Sequence, residues 1–103
     1  MGDNKKILKE FINNLNIEEL EYNDFDYLQN IYDSRADFYK KAKVYVLGEF
    51  KILVSYATIV AGIYKNEYYV TGWYSQTTAR HINEFLLQND FNKITKKEME
   101  GEI

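Results

Sequence analysis

The chain has 103 residues, of which 46% are hydrophobic and 17% aromatic, enough to build the core of one ordinary domain. It has no cysteine, which excludes disulfide bonds and thiolate metal sites, and its formal net charge of −3 is too small to indicate a partner. No apolar run is long enough for a signal peptide or a membrane span. We therefore expect a single cytoplasmic domain over residues 1–103.

The first part of the chain has the periodicity of helices. Apolar residues at steps of three and four predict an amphipathic helix over Asp3–Asn14. The same spacing continues from Asn23, a predicted N-cap, to Tyr32. We interpret residues 1–41 as a helical region that also carries most of the acidic residues.

After Ala42 the hydrophobic period changes to two, which predicts β-strands. Four short apolar runs are separated by turn residues at 48–49, 55–57 and 65–66. The runs are Val44–Val46, Phe50–Val54, Ile59–Ile63 and Tyr68–Gly72. Because the connections are short, the pattern predicts a four-stranded antiparallel meander.

A final helix follows the predicted strands. Ser75 is the expected N-cap, and an apolar stripe that includes Ile82 and Phe85 continues until about Asn89. Residues 42–94 are therefore predicted to form a sheet with a helix packed on it. Thr95 with Glu98 could cap one further turn, but we interpret the polar residues 95–103 as a frayed tail. The expected fold class is α+β, with helices first, then the sheet, then the C-terminal helix.

Acidic residues are concentrated between Asn16 and Asp37, where only Arg35 opposes them. Carboxylates spaced along helices can imitate a phosphate backbone and enter a basic groove. The alternative is a solvated helical face that contacts nothing. Under the first interpretation the predicted partner-binding carboxylates are Glu18, Glu19, Glu21, Asp24, Asp26, Asp33 and Asp37.

The ten tyrosines are unusual for a chain of this length, and tyrosine is enriched at protein interfaces. Tyr45, Tyr64 and Tyr69 are out of phase with the apolar residues of the predicted strands, which assigns them to the other face of the sheet. Either the N-terminal helices cover that face, or Tyr45 and Tyr69 are exposed and contact a protein partner. Nucleic-acid stacking is disfavoured, because few lysines flank this face.

His81 is the only histidine, which excludes paired-histidine metal sites and two-histidine relays. A nucleophilic Ser75 or Thr77 could use His81 as base with Glu84 orienting the ring, but hydroxyls at a helix start usually cap it. We therefore expect no enzyme activity, no metal and no cofactor. An alternative assigns Arg80 and His81 to phosphate contacts in a nucleic-acid-binding accessory module.

Two segments of the chain resemble a largely uncharacterised domain family of short phage, plasmid and other mobile-element proteins. They are Ser55-Tyr56-x-Thr58-Ile59-Val60-Ala61 and Tyr69-Val70-x-Gly72-x-Tyr74-Ser75-x-Thr77-Thr78-x-x-His81-Ile82-x-x-Phe85-Leu86. The resemblance covers about the last half of the chain and implies genomic context, with no activity to assign to any residue. One departure is the turn Lys65-Asn66-Glu67, where the family has Asn-Gly.

Small acidic proteins from mobile elements often block host or rival machinery, and anti-CRISPR proteins are similar to this chain in that respect. The analogy implies an inhibitor that binds a Cas effector nuclease through the acidic residues, without binding nucleic acid or a membrane. A labelled-DNA salt titration would distinguish this hypothesis from the accessory-module alternative.

Overall fold

The computed structural model describes residues 3–34, 38 and 40–101. The helices are α1 (Asp3–Asn13), α2 (Ile17–Leu20), α3 (Gln76–Gln88) and α4 (Lys96–Met99). The strands are β1 (Phe25–Tyr27), β2 (Ala42–Leu47), β3 (Phe50–Ser55), β4 (Thr58–Tyr64) and β5 (Glu67–Val70). Within these described ranges, no helix combines the length and the apolar character that crossing a bilayer requires.

The strands form one antiparallel sheet in the order β1-β2-β3-β4-β5, so each strand pairs with its neighbours along the chain. The connections from β2 to β5 are tight turns at residues 48–49, 56–57 and 65–66. The predicted meander is therefore confirmed, but the sheet has five strands instead of four.

The sheet separates two cores. On one face α1 lies over β4 and β5, and its residues Leu8 and Ile12 pack in the same cluster as Tyr45. On the opposite face α3 packs Ile82 and Phe85, both fully buried, against the sheet. The alternating strand pattern supplies apolar side chains to both faces, which gives an α+β fold with helices on each side of the sheet.

The extra strand corrects the helical interpretation of residues 1–41. Phe25–Tyr27 pairs with β2 as an edge strand, with Phe25 opposite Tyr45. Asn23 does not start a helix, because its side-chain amide donates to the carbonyl of Leu20 and so helps to end α2. Helical spacing and strand alternation cannot be told apart over so few residues, and pairing with β2 decided the outcome.

The interpretation of residues 95–103 as a frayed tail is wrong for the described part of this segment. Thr95 and Glu98 form a capping box at the start of α4, in which each side chain accepts from the backbone N–H of the other residue. Met99 is 1% exposed and packs in the α3-side core. Burial of this one apolar side chain explains why the polar segment folds back onto the domain.

Gly62 in β4 lies directly against side chains of α1. A Cβ at this position would lie 2.6 Å from Ile12 Cδ1 and 3.2 Å from Leu8 Cδ1. We expect Gly62→Val to lower the free energy of unfolding by about 1–3 kcal/mol through overpacking, measured by urea denaturation. Gly72→Val is the control, because a Cβ there meets only Tyr74 atoms at 3.9 Å. Equal stability of the two variants would contradict this account.

Candidate functional site

Five of the predicted partner-binding carboxylates belong to α2 and to the segment that leads through the edge strand β1. Glu18 and Glu19 are in the first turn of α2, Glu21 is its C-cap, and Asp24 and Asp26 lie before and within β1. All five are exposed. We call these five residues the acidic edge.

The other two predicted carboxylates differ from this group. Asp33 is largely buried, and its Oδ2 lies 2.6 Å from Arg80 Nε, so it pairs within the protein. Asp37 lies outside the described residues. The acidic block of the sequence is thus divided between an exposed edge and a residue that anchors an internal ion pair.

The two predicted tyrosine contacts lie on the α1 side of the sheet. Tyr45 is 1% exposed, so the prediction that it supplies an exposed anchor is wrong. Burial, and next the Glu21 carboxylate and Tyr27, raise the pKa of Tyr45 above its ordinary value of 10.0. Tyr69 is half-buried against the same core. The N-terminal helices cover this face, which was one of the two interpretations open from the sequence.

The exposed aromatic residues lie elsewhere, next to the acidic edge. Tyr22 is 92% exposed, and Phe25 and Tyr27 are more than one-third exposed. The rings of Phe25 and Tyr27 meet edge-on, with their centroids 5.1 Å apart. Lys43 Nζ lies 4.8 Å from the Phe25 ring, so some positive charge is also present. This edge combines carboxylates with exposed aromatic rings.

A second group of polar residues, Ser55, Thr78 and His81, is buried where β3 ends against α3. Ser55 Oγ lies 2.9 Å from Thr78 Oγ1 and 2.9 Å from His81 Nδ1. The sequence did not indicate that Ser55, which ends a strand, would meet two residues of the helix. All three side chains are closed off from solvent.

His81 is fully buried, and its ring is met edge-on by Phe38 at a centroid distance of 4.5 Å. Its Nε2 has no hydrogen-bond partner in the described part of the chain. We assign the proton to Nδ1, which then donates to Ser55 Oγ and leaves only a lone pair unsatisfied. Burial, and next the positive charge of Arg80, lower the pKa of His81 from 6.5 to about 4. The ring is therefore neutral at physiological pH.

Glu84, three residues beyond His81, holds the loop between β1 and β2 against α3. Its carboxylate is 2% exposed and accepts from the backbone N–H groups of Ile31, Tyr32 and Asp33 at 2.9–3.0 Å. Gln88 Nε2 also donates to it, at 2.6 Å. This carboxylate fixes the position of Asp33, which in turn pairs with Arg80.

This arrangement differs from both chemical hypotheses for α3. Ser75 Oγ accepts from the Thr78 backbone N–H at 3.1 Å, so Ser75 caps the helix as expected. The hydroxyl that reaches His81 belongs to Ser55, and Glu84 binds backbone groups instead of orienting the imidazole. His81 is fully buried and therefore cannot contact a phosphate in solution, whereas the Arg80 side chain is 25% exposed and pairs with Asp33.

Polar residues of α3 recur at steps of three and four beside its apolar stripe, at positions 81, 84 and 88. This spacing is the signal in the sequence that could have predicted a buried polar seam along the helix. No group of three or more histidine, aspartate or glutamate side chains suited to a metal ion occurs among residues 3–34, 38 and 40–101.

Comparison with known proteins gives a single finding about relatedness. Residues 27–101 match a family of unknown function, DUF8033. No curated protein and no solved structure matches the chain. The matched segment contains β2 to β5, α3, α4 and the buried polar groups around His81 and Glu84, and it begins after Asp26 of the acidic edge. Because the match covers well over half of the 103 residues, the chain belongs to this DUF8033 family.

Proposed function

We propose that the protein binds another protein and inhibits a nucleic-acid-processing effector, with a CRISPR nuclease as the concrete target. The acidic edge would occupy the basic channel that otherwise holds nucleic acid. Matched charges of this kind accelerate association and select the partner. The proposal rests on one observation, the exposure of all five carboxylates between α2 and the edge strand β1.

The hydrogen-bond and ion-pair pattern supports this proposal. Within the described residues the five carboxylates form no salt bridge, whereas Asp33 and Glu49 have basic partners. Unpaired surface carboxylates keep their full charge available for a basic partner. Lys43 and Lys40 lie near Phe25 and Tyr27 and reduce the local negative charge without removing it.

The aromatic residues of this edge add the apolar component that a stable interface needs. Tyr22, Phe25 and Tyr27 are exposed next to the carboxylates. Aromatic side chains commonly contribute most of the binding energy, while surrounding charges determine rate and orientation. The carboxylates all precede residue 27, so the charged part of the proposed inhibitory surface lies outside the family segment, which begins at Tyr27.

The direct experiment measures target cleavage by purified Cas nucleases of several types, with and without this protein. We expect inhibition of at least one effector and a complex on a sizing column. One variant removes the charges of the acidic edge: Glu18→Gln/Glu19→Gln/Glu21→Gln/Asp24→Asn/Asp26→Asn. It should associate with the inhibited nuclease at least about tenfold more slowly than the unaltered protein does. Inhibition by the unaltered protein should weaken as salt concentration rises.

The matched control removes five acidic charges elsewhere on the surface. We choose Glu10→Gln/Glu49→Gln/Glu67→Gln/Asp90→Asn/Glu100→Gln, which changes the net charge equally and leaves the acidic edge intact. This control should inhibit like the unaltered protein. Unchanged cleavage by every effector, with no complex formed, would refute the proposal. So would equal loss of inhibition in both variants, because that outcome would indicate an effect of net charge alone.

A further inference from the structure

The opposite edge of the sheet has a different character from the acidic edge. β5 is the last strand and pairs only with β4. A groove of about 560 Å³ runs along its outer side, between α1 and the segment from Ile94 to Gly101. We call this space the β5 groove.

The backbone of β5 presents hydrogen-bonding groups to this groove. Thr71 N donates to Val60 O, and the register pairs Val70 with Ala61. Because antiparallel strands alternate the direction of their backbone groups, the N–H and C=O of Tyr68 and Val70 point away from β4. No backbone donor or acceptor elsewhere in the described residues pairs with these groups. An extended chain laid in the groove would satisfy them.

The two walls of the β5 groove differ in chemistry. α1 contributes Lys9, whose ammonium group lies 5.5 Å from the centre of the Tyr69 ring on the α1 side of the sheet. It also contributes Lys5, whose ammonium group reaches the strand edge and lies 4.9 Å from the ring of Tyr68, a residue that packs on the α3 side. The other wall contributes the apolar side chain of Ile94. Glu98 also lines this second wall, and its Oε1 accepts from Thr95 N at 2.8 Å.

We propose that the β5 groove binds an extended acidic segment of a partner protein, which adds to the sheet as a sixth strand. Side chains of such a strand alternate between the two walls. Those that face α1 would be acidic, because they meet Lys9 on that wall and Lys5 at the strand edge. Those that face Ile94 and Glu98 would be apolar. The recognised segment therefore alternates acidic and apolar residues over about six positions.

The opposing interpretation is that Lys5 and Lys9 only protect the edge strand from aggregation, which is a common use of lysine at sheet edges. Protection requires nothing more than charge at the edge. Binding also requires the open groove between the two walls and the unpaired backbone groups of Tyr68 and Val70. An experiment must therefore test strand addition as well as charge attraction.

The probe is a fluorescein-labelled peptide with the sequence Glu-Val-Asp-Val-Glu-Val, titrated into the full-length protein and followed by anisotropy. We expect saturable binding that is about tenfold weaker for Lys5→Glu/Lys9→Glu and for the peptide with amides in place of its acids. Lys6→Glu/Lys41→Glu is the control with the same charge change outside the groove. In ¹⁵N spectra the amides of Tyr68 and Val70 should shift and become protected from exchange on binding.

A second variant separates strand addition from charge attraction. Val70→Pro removes an outward N–H without removing a hydrogen bond to β4, so an edge strand can accept it. If its ¹⁵N spectrum retains the native dispersion, we expect peptide binding to be lost although both lysines remain. Retained binding by this folded variant would overturn the strand-addition proposal.

Three further results would overturn the proposal. They are the absence of peptide binding at millimolar concentration, equal binding by Lys5→Glu/Lys9→Glu and its control, and amide shifts confined to residues outside 67–71. Sedimentation of the protein alone tests a second copy as the occupant. Self-association that Lys5→Glu/Lys9→Glu abolishes would assign the groove to another copy of this chain and contradict a separate partner.

Discussion

Glu84→Gln is expected to lower the free energy of unfolding by about 2–4 kcal/mol, because it disrupts a buried set of charge-assisted hydrogen bonds. The carboxylate accepts from three consecutive backbone N–H groups, those of Ile31, Tyr32 and Asp33. A glutamine has one acceptor oxygen and turns an NH₂ group toward these donors. The loss should be visible as a lower urea midpoint with an unchanged slope.

Glu84→Gln should also loosen the loop at residues 31–33 more than it loosens the rest of the fold. Hydrogen exchange at the amides of Ile31, Tyr32 and Asp33 should accelerate more than exchange in the sheet, because all three donate to the Glu84 carboxylate. The effect should be smallest at Ile31, whose N–H also donates to Gln29 O at 3.1 Å. Glu10→Gln, on the exposed face of α1, is the control and should change stability by less than about 0.5 kcal/mol. If Glu84→Gln were as mild as this control, the carboxylate would not be holding the loop.

Acid is expected to destabilise the protein through His81. Its pKa is 6.5 when exposed and about 4 in the fold, so the unfolded chain binds this proton more readily. Stability from this residue is therefore complete above pH 6.5, falls as the pH drops toward 4, and changes no further below that. Between pH 7 and pH 5 the loss should be about 2 kcal/mol, measured as the free energy of unfolding in urea.

A variant isolates this contribution from the carboxylates, which also titrate in acid. His81→Phe keeps an aromatic ring among Phe38 and Tyr56, while Ser55 and Thr78 remain bonded to each other. The variant will be less stable at neutral pH, but its stability should fall less steeply between pH 7 and pH 5. If the free energy of unfolding fell equally steeply with pH in both proteins, His81 would not contribute the acid destabilisation that its burial requires.

Several elements could be predicted from the residues because their causes are local. The two-residue period from Val44 to Val70 predicted β2 to β5, and short turns between the runs predicted their antiparallel order. Ser75 was identified as the cap of α3 because a hydroxyl at a helix start satisfies a free N–H group. The helix ends near Asn89 as expected.

Other features depended on parts of the chain distant in sequence. The alternation that assigns Tyr45 to one face of β2 does not show whether that face is exposed, and only the packing of α1 over it buries the side chain. Asp33 and Glu18 belong to one acidic block, yet the contact with Arg80, 47 positions later, takes Asp33 inside. Neither outcome follows from local spacing. A strand has the same alternation of residues whether its face is exposed to solvent or covered by a helix, and an acidic residue has the same neighbours in sequence whether or not a distant arginine pairs with it.

By itself, the sequence determined the α+β composition of the protein, the meander, the cap of α3 and the absence of cysteine chemistry, since each follows from residue type and short spacing. Tertiary structure alone decided that Phe25–Tyr27 is a strand, that Ser55 meets His81, and that Glu84 holds the loop before β2. It also left β1 and β5 as the two edges. These features require partners more than 15 positions away, and their energies arise from burial and hydrogen bonding that exist only once the sheet and α3 have packed.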